Sequence, residues 1–339
     1  YYTVRELSNY AAELWALRSL GDEIFLTGDE RGMAGAYETM GDYAPPTGRS
    51  AGGYPWLQEH LVSGYSWRWM TPLGDDPADA AIANTPLSRW HNYYIEGLAW
   101  LLRHAEIDGI YLDGIGYDRQ IMKRLARIGS RLNKERWYLN FHSGNAAHKA
   151  TTHRITPMSG YMEHLPYVSQ LHFGEQFPNQ TAEPDYYLVE MSGIPFGLTN
   201  EFRGSPHPEI PHRNMLYGAS GRMHESRYHL WPFWDAFGIQ DTRMLGYWDP
   251  ACPVRTDHEK ILATVSHAPG KALIALASWA KKDVEVKLAI DWPALGFVPN
   301  AVRLTAPSIP TMQDAATFDP ADRIPVRAAG GWLLAVEER

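Results

Sequence analysis

A single cysteine, Cys252, stands in 339 residues, so the chain can form no intrachain disulfide and no thiolate-based metal cluster. Long hydrophobic runs are missing as well: none approaches the roughly 20 apolar residues that a helical bilayer span needs. Positive charge is scarce and never clustered. With 31 Lys and Arg against 39 Asp and Glu, the formal net charge is -8, which gives no pull toward nucleic acid or an anionic membrane. No strand-like run leads into GxGxxG or GxxxxGK[ST], the usual cradles for phosphate. The histidines His142, His148, His153, His164 and His172 show no HxH or HExxH spacing, and Ser143-Gly144 is not a GxSxG elbow.

What is present is the balance of an ordinary folded protein, 45% hydrophobic and 21% charged residues, in a chain long enough for two domains or for a barrel with an appendage. The unusual content is aromatic: 13 Trp and 19 Tyr, many of them in Gly- and Pro-rich segments such as Gly53-Tyr54-Pro55-Trp56 and Tyr65-Ser66-Trp67-Arg68-Trp69. Flat rings in loops pack against the C–H faces of sugars, while Asp, Glu, Asn, His and Arg bind the hydroxyls; the same rings also serve simply to fill long irregular loops. Composition does not choose between the two.

Residues 1–5 have strand composition and residues 11–20 carry apolar side chains at helical spacing. Residues 28–75, rich in Gly, Pro, Tyr and Trp, predict a long loop or lid. Helices are expected at 88–105 and 119–132, and strands at 107–112, 137–141 and 167–173. Looser pieces follow at 186–190 and 193–198, with a helix beginning near Asn214. Strands alternating with amphipathic helices imply a parallel sheet, and polar residues at the ends of several successive strands favour a (β/α)8 TIM barrel over a doubly wound sheet. From Arg255 the texture changes to short strands at 261–265, 271–278, 284–290, 301–304 and 331–336 separated by turns, which reads as an antiparallel β-sandwich. The expected organisation is therefore an α/β barrel over 1–254 and a β-sandwich over 255–339. Only about six strand units precede the sandwich and the chain opens inside a strand-like segment, so the barrel is expected to lack its first strands. The sandwich is expected to pack on the barrel. It would carry a glycan-binding platform only if Trp279, Trp292 and Trp332 were exposed and coplanar.

The most informative stretch is Ile107-Asp108-Gly109-Ile110-Tyr111-Leu112-Asp113-Gly114, an apolar strand core that ends in a carboxylate. In a barrel such a residue faces the C-terminal rim, where active sites lie. Asp113 could equally cap the next helix, but Gly114-Ile115-Gly116 interposes a loop before that helix begins. Asp108, at the other end, is read as support for the turn into the strand. Two strands further on, a strand ends at Gly174-Glu175, with Asn140 and His142 on the strand between. Cleavage of a glycosidic bond needs one charged carboxylate and one protonated one, and Asp113 with Glu175 supplies such a pair. The histidines keep a metal-dependent hydrolase open as an alternative, and a non-catalytic carbohydrate-binding protein on a degenerate barrel is another.

Taken together, Tyr2-Thr3-Val4-Arg5-Glu6-Leu7, the 107–114 strand, Phe173-Gly174-Glu175, the stretch from Val189-Glu190-Met191-Ser192 to Gly197 and the β-rich tail resemble, in that order and over nearly the whole chain, uncharacterised bacterial proteins related to glycoside hydrolase family 123. The resemblance implies a (β/α)8 catalytic domain flanked by β-sandwich domains and an N-acetylgalactosaminidase-like chemistry in which an adjacent Asp-Glu pair works with the substrate's acetamido group. Here Asp113 is followed by Gly114. The combined expectation is a glycosidase with Asp113 and Glu175 as catalytic acids and Arg5, Glu6, Tyr111, Asn140 and His142 lining a sugar subsite, with a carbohydrate substrate and neither cofactor nor metal. Cysteine usage leaves the compartment open, and a periplasmic or extracellular bacterial location is compatible with it.

Overall fold

The computed structural model describes residues 2–3, 66–73, 76–83, 89–104, 108–112, 119–133, 137–142, 162–173, 181–202, 207, 210–219, 221 and 224–339. It divides into two compact units: residues 1–172 with 196–199, and residues 173–195 with 200–339.

The first unit holds the strand-helix alternation. Strands β1 (Tyr2–Thr3), β4 (Gly109–Leu112), β5 (Tyr138–His142) and β6 (Gln170–Phe173) run parallel; β7 (Thr199–Phe202), which follows β6 in the sheet order, belongs from Asn200 onward to the second unit, as does Phe173. Helix α1 (Arg89–His104) buries Ile95, Leu98, Ala99 and Leu102, the i, i+3, i+4, i+7 stripe that its sequence dictates. Helix α2 (Arg119–Asn133) buries Ile121, Met122 and Leu125 and packs against α1. Expected and observed limits of these two helices agree to within a residue. Asp108 immediately precedes β4: it is exposed, and its carbonyl accepts from Tyr138 N at 2.9 Å.

Gly129 sits mid-helix in α2, where Gly costs about 1 kcal/mol against Ala. The reason is Trp137, whose ring occupies the space that a Cβ at 129 would need. Gly129→Ala is therefore expected to destabilise the protein by about 1 to 3 kcal/mol despite its better helix propensity. A chemical-denaturation midpoint at or above the parent's would show that the ring moves aside without cost.

One expectation is corrected in this unit. Residues 66–73 belong to no loop: β2 (Ser66–Leu73) and β3 (Asp76–Ala83) form an antiparallel hairpin with irregularities at Trp67/Trp69 and Pro72/Leu73. Aromatic and Thr residues favour a half-buried pleat, and Gly74-Asp75 between the two runs is a turn signal that the Gly- and Pro-rich surroundings obscure. The strand expected at 167–173 starts later, because Met162–Tyr167 forms a 3-10 helix. The helix expected at 11–20 lies outside the described residues, as does the aromatic segment 53–56.

The second unit contains two antiparallel sheets. Their strands are β8 (Arg243–Leu245), β9 (Val254–Thr256), β10 (Ile261–Ala268), β11 (Lys271–Ser278), β12 (Val284–Ile290), β13 (Val302–Ala306), β14 (Ala316–Phe318), β15 (Arg323–Val326) and β16 (Gly331–Glu338). The larger sheet has the order β14-β13-β16-β11-β10-β8 and the smaller β15-β12-β9. Alternation assigns the two faces of β11 to different cores. Ala272, Ile274 and Leu276 meet Val286, Leu288, Ile324 and Val326 of the smaller sheet. Leu273, Ala275 and Ala277 meet Tyr187, Phe202, Leu216 and Tyr217 from the segment that precedes the sheets. This double burial is why β11 reads as an unbroken apolar run.

The packed segment comprises a short helical turn, Pro184–Tyr186, that runs into a π-turn, Tyr187–Met191, then helices α3 (Ile210–Met215) and α4 (Arg227–Phe237). Aromatic side chains form its centre. Tyr187 and Tyr217 stack at 5.6 Å, Tyr217 and Trp248 at 5.8 Å, and Trp279 meets Tyr187 edge-on. The Tyr217 hydroxyl donates to Pro184 O at 2.8 Å, and burial beside Tyr247 pushes its pKa far above the usual phenol range, so it stays a neutral donor. Arg213, also buried, lays its guanidinium 4.7 Å over Trp279 and donates to Ser278 O. Tyr187, Tyr217, Trp248 and Trp279 pack a core, and the condition set for a coplanar Trp platform is not met: Trp279, Trp292 and Trp332 are each partly buried against different neighbours, with Trp279 Nε1 bound to Ala182 O and Trp332 Nε1 to Pro325 O.

At the entry to α4, buried His224 holds Nδ1 as an acceptor, 3.2 Å from Ser226 N and 2.9 Å from Ser226 Oγ. A proton on Nδ1 would displace the backbone donor. Burial lowers the His224 pKa from its ordinary 6.5, Arg227 lowers it further, and Glu225 works in the opposite sense. The unfolded chain then binds this proton more readily than the folded one, so the stability that neutral His224 contributes is lost as pH falls through 6.5 and below. An NMR titration should place the His224 midpoint below 6.5. A midpoint at or above that value contradicts the assignment.

Candidate active site

The parallel strands are buried on both faces, and the two faces differ in chemistry. Ile110, Leu139, Phe141 and Leu171 make one face apolar, with Ile110 level with Leu139 and Phe141 with Leu171. Phe141 meets the ring of His164 at 5.5 Å on this side. The other face carries polar residues: Asn140 is level with Gln170, and His172 follows two residues on. Asn140 is 0% exposed and His172 1%, so amide and imidazole lie inside the sheet rather than in solvent. Side chains that point to the axis of a barrel fill its interior in layers, while apolar side chains on the outer face meet helices. The polar face is the one from which a barrel builds its site.

Register places the anticipated residues as follows. The backbone of Tyr111 is level with Asn140, and that of His142 with His172, at the last residue of β5. β4 ends at Leu112, so Asp113 is the next residue of the chain; Glu175 follows the last residue of β6 by two. Asp113, Glu175, Arg5 and Glu6 lie outside the described residues. Of the seven site residues expected from sequence, the structure therefore gives strand positions for Tyr111, Asn140 and His142.

The opposite end of the strands is built for stability. Ser169 Oγ accepts from Leu139 N at 3.2 Å, Thr199 Oγ1 donates to Ser169 O at 3.2 Å, and the Tyr138 and Thr199 hydroxyls lie 3.1 Å apart. These bonds tie together the starts of three neighbouring strands. In barrels this end serves stability, and active sites lie at the opposite one.

Sequence reasoning passes over Gln170 and Glu201. Gln170 stands where polar and apolar residues alternate, in Gln170-Leu171-His172-Phe173, and that alternation was the available signal; Glu201 lies in the polar run Thr199-Asn200-Glu201, which carries none. Glu201 is the third of four residues in β7 and is partly buried. Among the described residues no three His, Cys, Asp or Glu side chains group as ligands for a metal ion. No described helix is long and apolar enough to cross a membrane.

Family comparison covers nearly the whole chain. The TIM-barrel domain of glycoside hydrolase 123 matches residues 1–224, and the C-terminal domain of the same family matches residues 226–337. The chain belongs to glycoside hydrolase family 123. The barrel expected from strand-end patterning is thus the family's TIM-barrel domain, and the antiparallel sheets fall within its C-terminal domain.

No curated protein matches this family 123 chain. Among solved structures it is similar to a GH27 β-L-arabinopyranosidase of Geobacillus stearothermophilus in complex with arabinose, at 10% identity and a TM-score of 0.46 over 87% of this chain and 70% of that one. A maltogenic α-amylase of Thermotoga neapolitana is similar at 8% identity and a TM-score of 0.44, over 76% of this chain and 68% of that one. An α-amylase of H. orenii is similar at 7% identity and a TM-score of 0.40, over 92% and 76%.

Proposed function

We propose that this family 123 protein is a glycosidase in which Asp113 is the charged carboxylate and Glu175 the general acid/base. Arg5, Glu6, Tyr111, Asn140 and His142 surround the sugar in this reading, with Asn140 holding its amide inside the sheet. The observation that carries it is strand order. β4 and β6 flank β5, and Asp113 and Glu175 are the acids that follow β4 and β6 in the chain. Acids on neighbouring residues of one strand point apart, whereas acids that follow strands on either side of a third can meet across a ring bound at the rim.

The chemistry divides between them. As the bond to the leaving oxygen stretches, positive charge spreads over the anomeric carbon and ring oxygen, and the Asp113 carboxylate stabilises it. Glu175 enters protonated and gives its proton to the leaving oxygen, then accepts one from the water that completes hydrolysis. No cofactor takes part, and the substrate is a carbohydrate.

The proton-donor role has its own test. Glu175→Gln is expected to lower turnover of glycosides with poor leaving groups by on the order of 10²- to 10⁴-fold. A dinitrophenyl glycoside, whose leaving group needs no proton, is expected to lose far less. Equal losses on both substrates would remove Glu175 from the acid role.

A further inference from the structure

We propose that the C-terminal domain carries a second saccharide-binding site, built by none of the residues assigned to hydrolysis, in a cleft of about 940 Å³ between the 308–314 loop and the 325–332 segment. Its ligand is a neutral or amino-bearing oligosaccharide. A cleft of this size lies within the range of sites that take up small organic ligands.

Both walls are held in place before any ligand arrives. The Gln313 amide donates to Pro307 O at 2.8 Å and to Leu333 O at 3.0 Å, and its oxygen accepts from Leu333 N at 2.8 Å, which fastens the loop to β16. On the other wall Asp283 accepts from Ala328 N at 2.8 Å, and Trp332 Nε1 donates to Pro325 O at 2.6 Å. Thr311 (φ 66°) and Ala329 (φ 53°) are the non-glycine residues at positive φ among those described, and each stands in a different wall of this cleft. Such backbone is maintained only where its surroundings enforce it, and it concentrates at binding sites.

The lining has the chemistry of a sugar site. Trp332, Met312 and Ile309 offer apolar surface, with Trp332 backed edge-on by Phe318 at 5.5 Å so that its indole cannot swing away. Around them stand Asp314, Glu285 and Arg327, all exposed, whose charged groups take hydroxyl hydrogen bonds. Three carboxylates, Asp283, Glu285 and Asp314, face one guanidinium, Arg327, so the cleft repels sulfated and carboxylated glycans and admits neutral or amino-bearing ones. The choice of a sugar over another polyol rests on the glycosidase reading; the presence of a ligand site does not.

The test uses the full chain bearing Asp113→Asn, on an array of immobilised neutral, amino-sugar and sulfated oligosaccharides. Addition of Asp314→Ala and Arg327→Ala, both at exposed positions, should weaken binding of the best neutral or amino-sugar ligand at least about tenfold, the loss expected for charged hydrogen bonds. Soluble ligand should also slow amide exchange across residues 308–314. The same two substitutions in the otherwise unaltered enzyme should leave hydrolysis of a small aryl glycoside unchanged. The proposal is overturned if no glycan binds, if sulfated glycans bind best, or if binding and exchange are indifferent to Asp314 and Arg327. A protein that hydrolyses no glycoside yet loses glycan binding with these substitutions would refute the glycosidase and retain this site.

Discussion

Asp113→Asn is expected to lower kcat by on the order of 10³-fold or more while sugar affinity changes little. The amide keeps the shape of the carboxylate and one hydrogen-bond acceptor, so ground-state contacts survive. What disappears is the negative charge opposite a centre that becomes positive only as the glycosidic bond breaks, which is an interaction confined to the transition state. The loss must therefore fall on kcat with KM nearly constant. Thermal stability should be close to that of the parent, because Asn matches Asp in size and the substitution changes charge alone. If Asp113 were only a helix cap, the same substitution would leave kcat intact, since Asn caps as well as Asp.

The second large effect concerns the fold. Gly331→Ala is expected to destabilise the protein by about 3 kcal/mol, at the upper end for overpacking. Gly331 opens β16 opposite Ala277 in the β11 pairing. A Cβ there would overlap the Leu276 carbonyl oxygen and come within 2.8 Å of His212 Cβ. One obstacle is the backbone of a central strand and the other a side-chain root on α3, so neither can swing aside. The preceding residue is the control: a Cβ at Gly330 would meet Arg327 Cβ at 3.2 Å and Arg327 O at 3.3 Å, in a partly exposed turn that can yield by tenths of an ångström. Gly330→Ala should cost well under about 1 kcal/mol. Similar denaturation midpoints for the two variants would mean that α3 and β11 are not held as closely as the structure indicates.

Legibility from sequence followed the strength of periodic signals. α1 and α2 were readable because Ile95, Leu98, Ala99 and Leu102, and Ile121, Met122 and Leu125, repeat at helical spacing. β11 and β12 were readable as an apolar run and an alternating run bounded by turns. The hairpin β2–β3 was hidden because its aromatic residues lie next to a Gly- and Pro-rich stretch whose composition masks the local alternation. Helix α4 was missed because Pro232 interrupts it and its Trp, Phe and Tyr residues show no narrow apolar stripe. β8, β14 and β15 have three or four residues each, too short for a period to register, and only pairing to longer strands defines them.

Of the candidate site, the strand positions of Asn140 and His142 were legible, because strand ends are a local property; Asp113 and Glu175 lie outside the described residues. The polar face through Asn140, Gln170 and His172 was not, because it depends on register between strands about thirty residues apart. Aromatic content left sugar contact and packing both open; Tyr187, Tyr217, Trp248 and Trp279 form a core stack, since the β11 face they cover carries the small side chains Ala275 and Ala277 and large rings are needed to fill the space above them.

The most direct test of the account is a turnover screen of the purified chain against a panel of aryl glycosides and oligosaccharides, with release of free sugar measured by chromatography in parallel for the unaltered protein, Asp113→Asn and Glu175→Gln. The account predicts hydrolysis of at least one glycoside by the unaltered chain and its collapse in Asp113→Asn. Binding without release of sugar, or release that persists in Asp113→Asn, would contradict it.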